Sequence, residues 1–418
     1  MAPEHLLLLL LAIIATDFVF ETVLDWINAK HQPSALPKVI EGLYSDEEFV
    51  KSQAYQKANF KIGLISATIS FVLYFGVISM GLLGLFSDWL AQQSNSQYII
   101  FIAFFGSMMI ASDILSLPIS LYKTFVIESK FGFNKMTIKT FFLDKIKGYA
   151  LSAIIGGALI WIFLYLINWL NEDFWLFFWG VITVIIVFVN MFYTSLIVPL
   201  FNKLEPLADG ELRDAIELYS KKVNFPLTNI YVINGSKRST KANAYFSGLG
   251  PNKKIVLYDT LINNHTTEEL VAVLAHEVGH FKRKHILSGL ALSILQMGLI
   301  LYILSFFIFN ESLSIALGAS QLAIHLNLIA FSMLFTPISK VSGLLMNLFS
   351  RKNEYEADAF AAETSSSTAL SSALKTLSTK NLSNLTPHPS YVFFHYSHPP
   401  LVARLTALEE LNDSQKKT

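Results

Sequence analysis

The sequence of 418 residues contains no cysteine. Disulfides and cysteine-based metal sites are therefore excluded, and any metal ion must be held by His, Asp or Glu. Charged residues are scarce, at 15 % of the chain, whereas soluble proteins carry about a quarter. Acidic and basic residues balance at 31 each, so nothing indicates a nucleic-acid partner. With 53 % hydrophobic residues and a mean hydropathy of +0.48, the composition predicts a protein built largely in a lipid bilayer.

Long apolar runs predict seven membrane-spanning helices. They lie at about 6–28, 62–88, 98–122, 149–170, 174–199, 286–309 and 320–348. The first run begins with leucines, as a signal peptide does, but it lacks a basic N-terminal region and a suitable small-residue cleavage site. We therefore expect it to remain as a membrane helix.

The distribution of lysine and arginine predicts the orientation. The connections after spans 1, 3 and 5 and the tail after span 7 are basic, whereas the N-terminal tail and the connections after spans 2, 4 and 6 contain no Lys or Arg. Cytoplasmic loops are the basic ones. The N-terminus is therefore expected outside, with the C-terminus and the polar segments in the cytoplasm.

Several carboxylates lie within these spans: Asp17, Glu21 and Asp25 recur every four residues in span 1, and Asp113 lies in span 3. A charge at the centre of a bilayer costs roughly a few kcal/mol. One interpretation is an unusually wet interior among the helices. The other is that Asp25 lies at the interface and the remaining three pair with lysines.

The chain divides into membrane and polar parts. We predict spans 1–5 with their loops at 1–200, the first part of a cytoplasmic domain at 201–285, spans 6 and 7 at 286–349, and the second part of that domain at 350–418. The first polar part contains an amphipathic helix at about 208–223 and three β-like runs, NIYVING (229–235), NAYFSG (243–248) and KIVLYD (254–259). The two polar parts are expected to form one split α+β domain, in which an edge strand pairs with a substrate backbone.

The sequence HEVGH, at 276–280, follows an apolar helical run that begins with a capping box at Thr266 and Glu269. Because helix positions i and i+4 share a face, His276 and His280 can bind one metal ion, and Glu277 can reach its water. The motif is typical of zinc hydrolases. The alternative is two helical histidines beside a solvent-facing glutamate.

A catalytic zinc ion takes three protein ligands and leaves one position for water. RKNEYEADAF (351–360) offers the strongest third ligand, since Glu354 and Asp358 share a helical face whereas Glu356 points elsewhere. In zincins with this pattern the glutamate binds zinc and the aspartate accepts a hydrogen bond from a zinc histidine. The alternative is an acidic helix start. Glu277 is then the expected general base, and His388, His395 or His398 could stabilise the oxyanion.

Beyond the zinc motif, the sequence resembles the type I CAAX prenyl endopeptidases, which are seven-span membrane zinc metalloproteases. The resemblance covers most of the chain in order. It is carried by FVIESKFGFNKMTIKTFFLDKIK (125–147), VPLFNKLEPL (198–207), GSKRSTKANAYFSG (235–248), KIVLYDTL (254–261), LAHEVGHFKRKH (274–285), RKNEYEADAFA (351–361) and FHYSHPPLVARLTAL (394–408).

The resemblance implies one zinc ion per chain, a water-filled chamber among the helices, and removal of three C-terminal residues after a lipidated cysteine. Its expected zinc ligands are His276, His280 and Glu354, with Glu277 as general base and Asp358 supporting a ligand histidine. The resemblance further implies that Asn243 contacts the substrate backbone and that His398 stabilises the transition state, with Arg404 as a supporting substrate-site residue.

Two other functions fit parts of the sequence. One is a quality-control metalloprotease acting on membrane proteins without a prenyl group. The other is a channel or transporter with a structural zinc ion, although structural sites normally have four protein ligands and no use for Glu277. The tail LNDSQKKT (411–418) lacks a clear ER-retrieval signal, which favours a bacterial inner membrane over the ER membrane.

Overall fold

The computed structural model describes residues 1–31, 37–225, 230–247 and 254–415. The helices are α1 (Pro3–Lys30), α2 (Asp46–Ser79), α3 (Leu82–Gln93), α4 (Gln97–Tyr122), α5 (Ile138–Leu170), α6 (Phe174–Phe192), α7 (Val198–Phe201), α8 (Glu211–Lys222), α9 (Asp259–Ile262), α10 (Thr267–Lys282), α11 (His285–Ser305), α12 (Glu311–Ala316), α13 (Ile324–Thr364), α14 (Ser367–Lys380), α15 (Pro389–His395) and α16 (Leu401–Gln415). The strands are β1 (Leu204–Pro206), β2 (Ile230–Ile233), β3 (Ala244–Ser247) and β4 (Lys254–Tyr258). The mainly α architecture predicted from the sequence is confirmed.

Six helical segments of the described chain are long and apolar enough to cross a membrane. One of them, Ile138–Phe201, contains both α5 and α6, which are separated by a turn at Asn171–Asp173. Counted with α5 and α6 apart, these segments correspond to the seven spans that the sequence predicts. The agreement follows from the length of the apolar runs, since a bilayer needs about 20 apolar residues in a helix.

The second predicted span, 62–88, is not one helix. Helix α2 ends at Ser79, and Gly81 adopts a left-handed conformation with φ of 65° before α3 begins. Gly84 of α3 donates its backbone N–H to the carbonyl of Leu317, 2.9 Å away. A Cβ at Gly84 would lie within 2.0 Å of Ala319. The glycines thus turn the chain and let α3 lie directly against the turn that follows α12.

Two membrane helices, α2 and α13, bury side chains near their ends and none along their middles. In α2 no residue between Tyr55 and Ile78 is buried. In α13 no residue between Phe335 and Asn353 is buried. A conventional helix bundle buries an apolar stripe along its whole length. Apolar side chains such as Val72 of α2 and Val341 of α13, each about 60 % exposed, therefore face lipid or open space.

Three intramembrane carboxylates pair with lysines. Asp17 and Glu21 of α1 both contact Lys340 of α13, and the Asp17 oxygen lies 2.9 Å from Lys340 Nζ. Asp113 of α4 pairs with Lys145 of α5. The exposed fractions of these side chains lie between 22 % and 36 %. These contacts agree with the second of the two interpretations, in which the carboxylates pair with lysines. The paired side chains nevertheless remain partly exposed.

A small sheet precedes the metal-motif helix. The strand order is β1-β2-β4-β3, with β2 and β4 parallel and the outer pairs antiparallel. The three predicted strands correspond to β2, β3 and β4; Asn229 and Gly248, at the ends of two of them, lie outside the described residues. Strand β1 was not predicted, because three residues give no visible alternation. Strand β3 pairs only with β4 among the described strands and so forms an edge.

Helix α13 joins membrane and polar parts without a break. Its 41 residues run from predicted span 7 through Glu354 and Asp358, and it contains Pro337. The expected boundary at 349/350 therefore falls inside a continuous helix. This continuity fixes the position of the carboxylates relative to the membrane helices.

Candidate metal centre

Helix α10 carries the two motif histidines and begins as the sequence predicts. Thr266 accepts a hydrogen bond from the N–H of Glu269, whose carboxylate accepts one from Thr266 in return. Its apolar face is buried in the core of the polar domain, with Leu270 and Leu274 each about 1–2 % exposed. The buried face fixes the rotation of the helix, so the histidines point toward α13.

The approach of α10 to α13 depends on Gly279. A Cβ at this position would lie 3.0 Å from Cα of Ala357 and 3.1 Å from its carbonyl oxygen. The two helices are thus nearly in backbone contact at this point. Because Ala357 lies between Glu354 and Asp358, this contact brings both carboxylates beside the motif histidines.

His276, His280 and Glu354 form a cluster in which one potential ligand atom from each lies within 4.8 Å of the others. The Nε2 atoms of the two histidines are 3.1 Å apart. Glu354 places Oε1 3.3 Å from Nε2 of His280 and Oε2 3.6 Å from Nε2 of His276. The set of two imidazoles and one carboxylate matches the ligands of catalytic zinc sites.

The donor set fits a cation. Nδ1 of His276 lies 2.8 Å from the carboxylate of Asp358, so its proton lies there and its Nε2 carries a lone pair. That lone pair, together with Glu354 Oε2, faces the cluster, and Oε2 is buried without a hydrogen-bond partner among the described residues. Burial lowers the pKa of His280, but the hydrogen bond and charge of Glu354 raise it by more, to a net increase. The cluster therefore attracts positive charge, and a metal ion would satisfy all three groups.

Asp358 is clamped on its far side by Arg404 of α16. The guanidinium donates from Nη2 at 2.6 Å and from Nε at 2.8 Å, one bond to each carboxylate oxygen. Nη1 also lies 3.6 Å from Glu354. Burial lowers the pKa of Arg404, but its hydrogen bond and ion pair with Asp358 raise it by more, to a net increase. These contacts hold Asp358 against His276; the predicted contact between Arg404 and substrate stays a prediction.

His280 has a different support. Its Nδ1 lies 3.1 Å from Nδ1 of His285, the first residue of α11, and Nε2 of His285 lies 3.1 Å from Oε2 of Glu356. The sequence reasoning missed both residues. Helical periodicity could not find His285, because the chain turns at Lys284, whose φ is 60°. It also pointed Glu356 away from the site, since it lies two positions after Glu354.

The C-terminal segment places its three histidines differently. His388 caps the start of α15, and His395 contacts Glu21 of α1 at 3.2 Å. Nε2 of His398 lies 3.3 Å from Oε1 of Glu354, and the side chain is 66 % exposed. His398 is therefore the one of these three that lies beside the cluster with an accessible ring.

Asn243 stands immediately before the edge strand β3 and is exposed. Its carbonyl accepts from the N–H of Tyr258 at 3.1 Å, which ties it to the end of β4. The chain before it is anchored by Lys241, whose Nζ lies 3.0 Å from Glu128 and 2.7 Å from the hydroxyl of Tyr55. The start of the edge strand is thus fixed to the membrane helices.

A bundle of membrane helices joined to a polar domain that brings two motif histidines and a glutamate together defines an integral-membrane metallopeptidase. Residues 26–203 match the CAAX prenyl protease N-terminal family, described as five membrane helices, and residues 206–412 match peptidase family M48. The chain belongs to peptidase family M48, and within it to the CAAX prenyl proteases, the family that the sequence resemblance predicts.

Relatives match along almost the whole chain. CAAX prenyl protease 1 of Saccharomyces cerevisiae is 35 % identical over 427 residues, covering 96 % of this chain and 94 % of the yeast protein. A CAAX prenyl protease 1 homolog of Arabidopsis thaliana is 37 % identical over 406 residues, with 94 % and 95 % covered. The crystal structure of S. mikatae Ste24p matches with a TM-score of 0.91 and 34 % identity, over 97 % of this chain and 99 % of that chain.

Proposed function

We propose that this protein is a zinc-dependent endopeptidase that cleaves near the C-terminus of CAAX proteins, including prenylated ones. The observation that carries the proposal is the convergence of His276, His280 and Glu354, three buried or half-buried side chains that could hold one cation. The names of the yeast and plant relatives, CAAX prenyl proteases, support the substrate class. One zinc ion per chain is expected, because the site offers three ligands and no thiolate.

The roles of the side chains follow from their positions. Zinc, when bound, supplies a water of lowered pKa and polarises the scissile carbonyl. Glu277, next to His276 on α10 and half-buried, is proposed to take the proton from the attacking water and deliver it to the leaving amine. His398, with its exposed ring near Glu354, is proposed to donate to the developing oxyanion.

The edge strand β3 is the proposed platform for the substrate backbone. An extended peptide can add to an open sheet edge through main-chain hydrogen bonds. Asn243, exposed and held at the start of this strand, is proposed to contact the peptide there. Arg404, which forms an ion pair with Asp358, is proposed to be a supporting residue of the substrate site.

We propose further that the helices enclose a water-filled chamber below the metal centre. The unburied middles of α2 and α13 support this arrangement, as do the partly exposed ionic groups at mid-span. We propose that residues 201–285 and 350–418 form one cytoplasmic domain, and that residues 1–200 and 286–349 form the membrane part. The N-terminus is proposed to lie outside. The membrane is proposed to be the bacterial inner membrane or, in a eukaryotic host, the ER membrane.

The test is zinc content and peptide cleavage by the purified wild-type protein, Glu277→Gln and His280→Ala, side by side. The substrates are a farnesylated CAAX peptide and the same peptide without the lipid. We expect one zinc ion per chain in wild type and Glu277→Gln, cleavage by wild type alone, and loss of zinc in His280→Ala. General acid–base catalysis contributes about 10²–10⁴-fold, which sets the expected loss in Glu277→Gln.

Each outcome separates one part of the proposal. Zinc in His280→Ala at the wild-type level would overturn the ligand assignment. Zinc in the wild type without cleavage of either peptide would overturn the CAAX substrate. Equal cleavage of the two peptides would keep the peptidase and remove the requirement for a prenyl group, in favour of a quality-control role.

A further inference from the structure

Three side chains, those of His280, His285 and Glu356, contact one another in a row that leads outward from the metal cluster. The Nδ1 atoms of His280 and His285 are 3.1 Å apart, and Nε2 of His285 is 3.1 Å from Oε2 of Glu356. Nε2 of His280 faces His276, so His285, which contacts Nδ1, lies on the side of the His280 ring that faces away from the cluster. His285 is therefore outside the ligand set and touches one of its members.

The acceptor at the end of this row is Glu356, and it determines which nitrogen of each histidine carries the proton. Glu356 is a carboxylate, so a neutral His285 must present its N–H at Nε2 and a lone pair at Nδ1. The Nδ1 of His280 must then carry a proton to donate to that lone pair. The only nitrogen of His280 with a free lone pair is Nε2, the atom that faces Glu354.

His285 is held rigidly enough to perform this task. Its side chain is only 7 % exposed. The left-handed turn at Lys284, with φ of 60°, starts α11 directly behind α10. Glu356 reaches it from α13, two residues beyond Glu354. Three helices thus fix the relative positions of the three side chains.

We propose that His285, oriented by Glu356, is a positioning residue that holds His280 in its metal-binding tautomer and ring orientation. This inference rests on the proposed role of His280 as a zinc ligand. Hydrogen-bond partners of ligand histidines contribute about 10–100-fold to metal affinity or activity. Loss of the His285 lone pair is therefore expected to weaken zinc binding by that factor, with a smaller effect when Glu356 alone is removed.

The experiment measures zinc affinity of the full-length detergent-solubilised protein by competition with a chelator of known affinity. The variants are His285→Leu, His285→Asn, Glu356→Ala and the double variant His285→Leu/Glu356→Ala. The asparagine amide can place its oxygen near the position of Nδ1 and so keeps an acceptor for His280. Glu363→Ala is the matched control, since Glu363 is an exposed glutamate on the same helix.

We expect about 10–100-fold weaker zinc binding in His285→Leu, recovery toward the wild-type value in His285→Asn, and no change in Glu363→Ala. The double variant should bind zinc as His285→Leu does, because Glu356 acts through His285 and the two effects are not additive. Glu356 is 39 % exposed, so Glu356→Ala tests the proposal even where His285→Leu does not fold.

Wild-type zinc affinity in His285→Leu and Glu356→Ala, or additive losses in the double variant, would overturn the proposal. His280→Ala, measured in parallel, distinguishes this failure from that of the proposed site. If His280→Ala loses zinc while His285→Leu keeps it, the positioning role alone is wrong. If His280→Ala also keeps zinc, the ligand assignment is wrong.

Discussion

The two motif histidines are supported in different ways. Nδ1 of His276 meets Asp358, a carboxylate that is 1 % exposed and bound on its other side by Arg404. Nδ1 of His280 contacts a neutral imidazole, that of His285. The carboxylate of this second support belongs to the half-exposed Glu356, which contacts His285 and not His280. Both arrangements place a proton on Nδ1 and leave Nε2 for a metal ion.

The difference lies in what each support contributes to folding. A buried carboxylate and guanidinium must remain paired, because removal of one partner leaves a desolvated charge. A half-exposed glutamate can be replaced by water at little cost. The Asp358 side therefore couples metal binding to fold stability, whereas the His285 side is expected to adjust metal affinity with little effect on stability. Three substitutions test this comparison.

Asp358→Ala is expected to have the largest effect. It removes the carboxylate that binds Arg404 at 2.6 Å and leaves the buried guanidinium with only Glu354, 3.6 Å away, which should lower the free energy of unfolding by about 3–5 kcal/mol. The measurement is thermal unfolding of the detergent-solubilised protein with excess chelator, so that bound metal does not contribute. Glu356→Ala under the same conditions should change the free energy of unfolding by no more than about 0.5 kcal/mol.

The double variant Asp358→Ala/Arg404→Met provides the control for the Asp358 prediction. It also removes the guanidinium that has lost Asp358 and should be more stable than Asp358→Ala alone, since an apolar pair can replace a buried ion pair. Equal stability of Asp358→Ala and Glu356→Ala would contradict the proposed difference between the two supports.

Gly279→Ala is expected to have an intermediate effect and to disturb both supports together. Its methyl group would lie 3.0 Å from Cα of Ala357, so α10 must move away from α13. Overpacking of this kind costs about 1–3 kcal/mol, and zinc affinity should fall because His276 and His280 move relative to Glu354. Thermal unfolding and chelator competition give the two values.

Gly289→Ala is the matched control for Gly279, because a Cβ at this helical glycine meets nothing within 4 Å. It should be neutral or stabilising by about 0.4–1 kcal/mol. If Gly279→Ala matched Gly289→Ala in both stability and zinc affinity, the close helix contact would have no role in forming the site.

The part of the site that can be predicted from the sequence is the part that follows from helical periodicity. His276 and His280 share one face of α10, Glu354 and Asp358 share one face of α13, and each pair could be assigned from its i, i+4 spacing. The apolar runs predict the spans for the same reason, since the length of a run is a local property.

The rest depends on contacts that local patterns do not encode. His285 acts on His280 across a turn at Lys284, and Arg404 reaches Asp358 from a separate helix. The break of α2 at Gly81 was missed because the residues on both sides are apolar, and a hydropathy window averages over a single turn. Such features require the tertiary structure.

Thr266→Ala is expected to have the smallest effect and to leave both histidine supports unchanged. It removes the side chain that accepts from the N–H of Glu269 at the start of α10, which should lower the free energy of unfolding by about 1 kcal/mol. The lost cap lies more than two helical turns from His276, so zinc affinity of the folded protein should remain at the wild-type value. Thr266→Ser, which keeps the hydroxyl, should recover the stability. A loss of zinc affinity as large as that in His285→Leu would mean that the start of α10, and not the side chains behind each histidine, positions the site.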